Sequence, residues 1–210
     1  AVKHILPHFP EDMKELCSPF LGGGSIELAL ASKGVKVHAY DIFEPLVCFW
    51  KHLIKNPEAL AEAASLHRHL DKQTFKMLQE TLRNSSQDNI DYAAIFYALN
   101  RSSFSGSTTA GGYSKQAAEK RFTESSIKRI KDFKAKNISV KAADFKVSIA
   151  AHPDAFLYLD PPYLLGKGRE TLYGANGSNH KGFDHLGLSE TLKERNNWIL
   201  SYNNCPEILK

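Results

Sequence analysis

Residues 156–163, Phe-Leu-Tyr-Leu-Asp-Pro-Pro-Tyr, run an apolar segment into a carboxylate, two prolines and an aromatic ring. Neither proline has an N–H and both stiffen the backbone, so nearby carbonyls are acceptors held in a fixed direction. Asp160 beside such a carbonyl can accept both hydrogens of a planar exocyclic amine. Tyr163 can stack on the ring that bears the amine. The arrangement turns the amine nitrogen toward an electrophile. The plain alternative is a chance Asp-Pro-Pro-Tyr closing a buried strand.

A second group is Pro19-Phe20-Leu21-Gly22-Gly23-Gly24-Ser25. Glycines there let backbone approach a ligand, and a helix amino terminus behind them favours anionic groups. The spacing does not make a dinucleotide fingerprint, because Glu27 stands three residues after Gly24 where a small residue is needed. No Gly-Lys-Ser/Thr follows, which excludes a P-loop. A nucleoside carrying an amino acid, such as S-adenosylmethionine, suits the turn; a merely tight turn is the alternative. Asp41 follows 17 residues beyond Gly24. At a strand end, an acid can accept from both ribose hydroxyls of an adenosyl group. Its alternative is to cap a helix starting near Phe43.

These residues need elements to hold them. Residues 2–15 read as a helix interrupted near Pro7 and Pro10. Leu16–Phe20 reads as a buried strand, Ser25–Ser32 as a helix capped by Gly24 or Ser25 and ended by Gly34, and Val35–Tyr40 as a strand that Asp41 closes. Residues 43–54, 57–69, 71–83 and 89–100 read as helices. The small-residue stretch 101–115 reads as a mobile loop, and a basic helix follows at 124–136. Strands resume at 138–140 and 155–159 with a short helix between them. After a Gly-rich loop at 165–182 come a helix at 188–195 and a strand at 198–203. The fold expected is α/β, a doubly wound Rossmann-like sheet with helices on both faces, interrupted by a mainly helical insertion at 51–135.

Apolar residues make up 42% of the 210 and charged residues 24%, with no run of about 18 apolar residues, which excludes a membrane span and wholesale disorder. The amino-terminal stretch does not read as a signal peptide. Cys17, Cys48 and Cys205 make no CxxC, and neither His67 and His69 nor His180 and His185 have metal-ligand partners at useful spacing. No disulfide framework and no metal are expected, and a reducing cytoplasm fits. The net charge of +4 is concentrated: residues 101–134 carry eight bases against three acids, among Phe104, Tyr113, Phe122 and Phe133. This is either a polyanion-facing patch or a solvated helix face.

PFLGGGS at 19–25, Asp41, LNRSSFSG at 99–106, Asp144 and DPPY at 160–163, in that order, resemble the DNA adenine-N6 methyltransferases of the DpnII/D12 type. The resemblance covers nearly the whole chain. It implies that Pro19, Phe20, Gly22, Gly24 and Ser25 hold the methionine part of S-adenosylmethionine, that Asp41 binds its ribose, and that Asp144 and Phe145 contact its adenine. Asp160, Pro161, Pro162 and Tyr163 would form the target-amine clamp. Asn100 and Arg101 would lie near DNA, with Lys115, Lys120 and Arg121 as further contacts from the 51–135 recognition lobe. Residues 1–50 and 136–210 would form the catalytic domain. Phe183-Asp184-His185 resembles a family stretch to which only loop support is assigned.

The implied reaction leaves S-adenosylhomocysteine and N6-methyladenine in double-stranded DNA, with the target base flipped out and no covalent enzyme intermediate. A restriction endonuclease acting on the same site is a further expected partner, and the source a bacterium or phage. The family usually has an aromatic-x-Gly-Gly-Lys segment before the first helix and another hairpin after the last strand, so both ends are expected to be trimmed. Ser105 stands where Asn is common. Other readings are methylation of cytosine N4, RNA or a protein glutamine, and a catalytically idle DNA-binding subunit.

Overall fold

The computed structural model describes residues 2–164 and 183–204. Among these, five strands form one all-parallel sheet: β1 (Glu15–Ser18), β2 (Lys36–Asp41), β3 (Ile138–Ala142), β4 (Phe156–Leu159) and β5 (Trp198–Leu200), in the spatial order β3-β2-β1-β4-β5. Register places Cys17 opposite His38 on one side and Leu157 on the other, and Leu159 opposite Leu200. Leu16, Cys17, Leu157 and Leu159 are fully buried, as strands covered on both faces require.

The chain winds first toward β3, then returns past β1 to β4 and β5. Right-handed crossovers therefore put α2 (Ser25–Ser32) on one face, and α9 (Phe145–Ala150) and α10 (His185–Lys193) on the other. Phe145, Ile149, Leu188 and Leu192 of the latter two pack with Tyr40, Leu157 and Leu159 in one core. The order reverses at the β1–β4 pair, the topological switch point where open α/β sheets place their ligands. This is a Rossmann-like α/β sheet, as expected.

Six helices lie between β2 and β3: α3 (Glu44–Lys55), α4 (Pro57–Ser65), α5 (Lys72–Asn84), α6 (Ile90–Ser102), α7 (Lys115–Arg121) and α8 (Glu124–Lys131). The chain divides into two compact units, one holding the sheet and one spanning residues 43–134. In the second, α6 is apolar around most of its circumference and buries Tyr92, Ala93, Ala94, Phe96, Tyr97, Ala98 and Leu99, so it is the central helix of that unit. Asp71, Asn89, Ser114 and Thr123 each cap a helix by accepting a backbone N–H.

Three readings are corrected. The first helix, α1 (Val2–Ile5), passes into one 3-10 turn at Leu6–His8 and ends there, because Pro10 has no N–H to continue it. The stretch 101–115, read as a mobile loop, is hydrogen-bonded to itself: Phe104 N donates to Gly112 O at 3.0 Å, Ser114 N to Ser102 O at 2.8 Å, and Ser103 pairs with Tyr113. Helix α7, which the sequence reading left unassigned, follows that loop. The Gly-rich loop expected at 165–182 and Cys205 lie outside the described residues. Cys17 and Cys48 are buried free thiols.

Candidate active site

The glycine turn leaves β1 at Ser18 and enters α2 at Ser25. Leu21 N donates to Tyr40 O at 2.8 Å, tying the turn to β2, and Gly24 N donates to Leu21 O at 2.9 Å. Gly22 has φ 46° and Gly24, the cap of α2, has φ 65°, in the left-handed region where a side chain would be strained. A Cβ on Gly22 or Gly23 would meet no atom of the described residues within 4 Å. Gly22 N donates to Asp41 Oδ2 at 3.1 Å. Asp41 thus closes β2 and holds the turn. Its alternative as a helix cap is overturned, since α3 starts at Glu44 with Phe43 as cap.

Glu27 is only 2% exposed, and Ser18 Oγ donates to its Oε1 at 2.6 Å. The amides of Ile26 and Glu27 also bond its carboxyl. Burial, with a smaller contribution from Asp160 nearby, pushes its pKa up to about 7 against those bonds. The anion-favouring end of α2 is therefore served by the chain's own acid, a role for Glu27 that the sequence reading missed.

On the other face Phe20, Phe145 and Phe183 meet pairwise at ring-centroid distances of 5.5–6.0 Å. Asp144 is exposed at the exit of β3 and caps α9, accepting from Lys146 N at 2.8 Å. Lys146 Nζ in turn lies 2.7 Å from Asp184 Oδ2, and Asp184 Oδ1 accepts from Gly187 N at 2.8 Å, capping α10. Phe183 and Asp184 are more than loop support: one completes an aromatic cluster, the other fastens α9 to α10.

Asp160 emerges from the end of β4, beside the glycine turn at the end of β1. Tyr163 Oη donates to its Oδ1 at 3.0 Å. Desolvation raises the pKa of Asp160 and the Tyr163 bond lowers it, with a net upward direction. Pro161 is buried, Pro162 half-buried, and Tyr163 is 37% exposed. Among the described residues the Pro161 carbonyl accepts no hydrogen bond, whereas Tyr202 Oη lies 3.4 Å from Pro162 O and Asn203 Nδ2 donates to Leu164 O at 3.0 Å. Tyr202 Oη is also 2.6 Å from His185 Nδ1. Nothing in the local sequence pointed to Tyr202 or Asn203, which follow β5 some 40 residues further along.

In the second unit, Asn100 Nδ2 donates to Gly106 O at 3.0 Å and Arg121 Nη2 to Ser103 O, so both brace the 103–113 loop. The Arg101 guanidinium lies 5.1 Å from the Tyr97 ring centroid, and its Nε is buried with no hydrogen-bond partner among the described residues. Lys115 and Lys120 are exposed; Lys115 Nζ is 3.8 Å from Glu119. Gln79 Nε2 donates to Thr108 O and Gly111 O at 2.6 and 2.8 Å, holding the loop from below. Phe104 stands out from it, 71% exposed, and Ser105 takes φ 53°. That left-handed backbone explains why Asn suits the position better than Ser.

The sequence reading also missed two clusters of ligand-type side chains. Glu15, His38 and His152 bring such atoms within 4.8 Å of one another, as do Cys48, His52 and Asp88. In each, the acid also meets a lysine: Glu15 Oε1 is 2.5 Å from His38 Nε2 and 3.2 Å from Lys36 Nζ, and Asp88 Oδ2 is 2.7 Å from Lys51 Nζ. No helix among the described residues is long and apolar enough to cross a membrane.

A parallel sheet with a glycine turn and an acid at adjacent strand ends, and Asp-Pro-Pro-Tyr across the switch point, makes a Rossmann-like α/β protein with its candidate site where such sheets place their ligands. The family model of D12 class N6 adenine-specific DNA methyltransferases matches residues 1–210, and the chain belongs to that family. It is also similar to the Type II methyltransferase M1.LlaDCHI of Lactococcus lactis subsp. cremoris, with 24% identity over 182 residues, 77% of this chain and 62% of that protein. The chain thus spans about three fifths of that relative's length.

Proposed function

We propose that this chain methylates N6 of adenine in DNA at a specific sequence, using S-adenosylmethionine. The observation that carries the reading is the Asp160–Tyr163 turn at the β1–β4 switch point, in a chain of this family. One Asp160 oxygen is engaged by Tyr163, while its other oxygen and the Pro161 carbonyl are acceptors without partners among the described residues. That is the complement of an exocyclic –NH2.

The residues present fit the cofactor. The left-handed Gly22 and Gly24 turn lets backbone approach an amino-acid moiety, Asp41 suits a ribose diol, and Phe20, Phe145 and Phe183 offer an apolar aromatic wall for a purine, with Asp144 at its rim. Pro19, Gly24 and Ser25 shape the turn. When bound, S-adenosylmethionine supplies an electrophilic sulfonium methyl group. The chain's own part is to hold the amine. Asp160 and the Pro161 carbonyl accept its two hydrogens, Pro162 stiffens the turn, and Tyr163 stacks on the base. The proton that N6 sheds leaves through Asp160 or to solvent. Alignment and electrostatics then provide the catalysis.

Adenine N6 is stacked and paired in a duplex, so the base has to be turned out at a cost of a few kcal/mol. The second unit serves as the recognition region in this reading. Lys115 and Lys120 contact phosphates, Asn100, Arg101 and Arg121 shape and line the loop, and exposed Phe104 is an apolar wedge for a base step. The lactococcal relative is named a Type II methyltransferase, and a restriction endonuclease sharing the target sequence in a bacterial cytoplasm is the partner this implies.

The test is transfer of labelled methyl from S-adenosylmethionine to unmethylated DNA, followed by digestion to nucleosides. N6-methyldeoxyadenosine is expected. Label in N4-methyldeoxycytidine would move the target base, and cofactor binding without label in DNA would overturn the substrate.

A further inference from the structure

We infer that Tyr202 is a positioning residue for the amine clamp, holding Tyr163 and the proline turn from beyond the end of β5. The inference rests on the proposed role of Asp160 and Tyr163. Prolines at 161 and 162 stiffen the turn itself but take away two N–H groups that could tie it to its neighbours, so its placement has to be imposed by other groups. The neighbouring strand does this. β5 pairs with β4 from Leu157 to Leu159, and Ser201 N continues the ladder by donating to Leu159 O at 2.8 Å. The next two residues then lie alongside the clamp. Tyr202 sets its ring 5.5 Å from that of Tyr163, inclined by 34°, and Asn203 Nδ2 takes the Leu164 carbonyl.

Tyr202 is itself fixed at its far end, where Oη meets His185 Nδ1 of α10 at 2.6 Å. Its contact to Pro162 O, at 3.4 Å, is at the weak limit for a hydroxyl donor. The ring and the His185 anchor therefore carry most of the effect. The chain of contacts is α10 to His185, His185 to Tyr202, Tyr202 to Tyr163, and Tyr163 Oη to Asp160 Oδ1. The carbonyls of 162 and 164 are approached by Tyr202 and Asn203, and the Pro161 carbonyl is left for the amine.

The test compares wild type with Tyr202→Phe and Tyr202→Leu, all three checked for melting temperature and for the thermal shift given by S-adenosylhomocysteine. Tyr202→Phe keeps the ring and is expected to slow single-turnover methyl transfer several-fold. Tyr202→Leu removes the ring and is expected to slow it about 10- to 100-fold, the scale of a misplaced reacting group. Both should keep the wild-type cofactor shift. Wild-type transfer by Tyr202→Leu would overturn the inference, as would a slowed rate matched by an equal loss of cofactor binding.

A second readout does not need activity. In Tyr202→Leu, a 13C NMR titration of Asp160 should move to higher pH as the Tyr163 hydrogen bond loosens. An unchanged titration overturns the positioning role. Absence of methyl transfer by wild type, with the titration shifted as expected, would instead count against the proposed function.

Discussion

Tyr163 Oη and Asp160 Oδ1 are 3.0 Å apart within one proline-stiffened turn, so the ring that would stack on a base also donates to the acid that would hold its amine. Burial pushes the Asp160 pKa up and the Tyr163 bond pulls it down. A bond donated to the carboxylate stabilises the ionised form, whose other oxygen accepts one amine hydrogen while the Pro161 carbonyl accepts the second.

Tyr163→Phe keeps the stacking ring and deletes that donor. The Asp160 pKa then rises, and activity that requires the carboxylate is lost at a higher pH on acidification. The acid limb of the kcat/KM profile should move to higher pH, with cofactor binding unchanged. An acid limb in the wild-type position would show that Asp160 ionisation does not govern it.

Gly22→Ala places a side chain at φ 46° and should cost about 1–2 kcal/mol in stability. Its methyl group meets no atom of the described residues, so a loss of ligand affinity beyond that cost would come from the ligand's space. S-adenosylhomocysteine affinity should fall at least tenfold, and Asp41→Ala, which also removes the acceptor of Gly22 N–H, should fall similarly. Calorimetric affinities equal to wild type in both variants would displace the cofactor from this turn.

Glu27 ties stability to pH. The folded chain keeps its proton up to about pH 7 while the ordinary carboxyl value is 4.5, so the folded state binds more protons between those values and stability falls as pH rises through them. Glu27→Gln removes that penalty while its amide oxygen can still accept from Ser18. Urea unfolding at pH 5 and pH 8 should show the variant gaining on wild type with rising pH, by on the order of 3 kcal/mol. A difference that is the same at both pH values would mean Glu27 is not held neutral.

What was legible in the sequence was local. Helix α2 falls on the expected residues, Ser25–Ser32, because Gly24 and Gly34 bracket a run of apolar residues. The order of strands, glycine turn and Asp-Pro-Pro-Tyr was likewise readable. Contacts between distant side chains were not. Gln79 reaches Thr108 and Gly111 about 30 residues away, and Tyr202 reaches back to Pro162; neither leaves a period or motif. Helix α7 was missed because it is short and polar, begun by the Ser114 cap, with no buried residue of its own. Glu27 was read only as the residue that breaks a dinucleotide motif, since its burial depends on Ser18 at the end of the preceding strand.

The basic residues of the second unit separate by what they touch. Lys115→Ala and Lys120→Ala should leave the melting temperature unchanged and weaken DNA binding uniformly across sequences, each reducing the slope of log K against log salt by about 0.9. Arg121→Ala should lower the melting temperature, because its guanidinium holds the Ser103 carbonyl. Salt titrations with unchanged slopes would remove the two lysines from the interface.

The most direct test of the clamp is single-turnover methyl transfer to adenine in unmethylated DNA by wild type and Asp160→Asn, with S-adenosylhomocysteine binding measured on both. Asparagine preserves size and one acceptor oxygen but removes the negative charge that stabilises positive charge developing on N6 as the methyl group arrives. The expected result is N6-methyldeoxyadenosine from wild type, a loss of at least about 100-fold in the variant, and equal cofactor affinity. Methylation by Asp160→Asn at the wild-type rate would contradict the account.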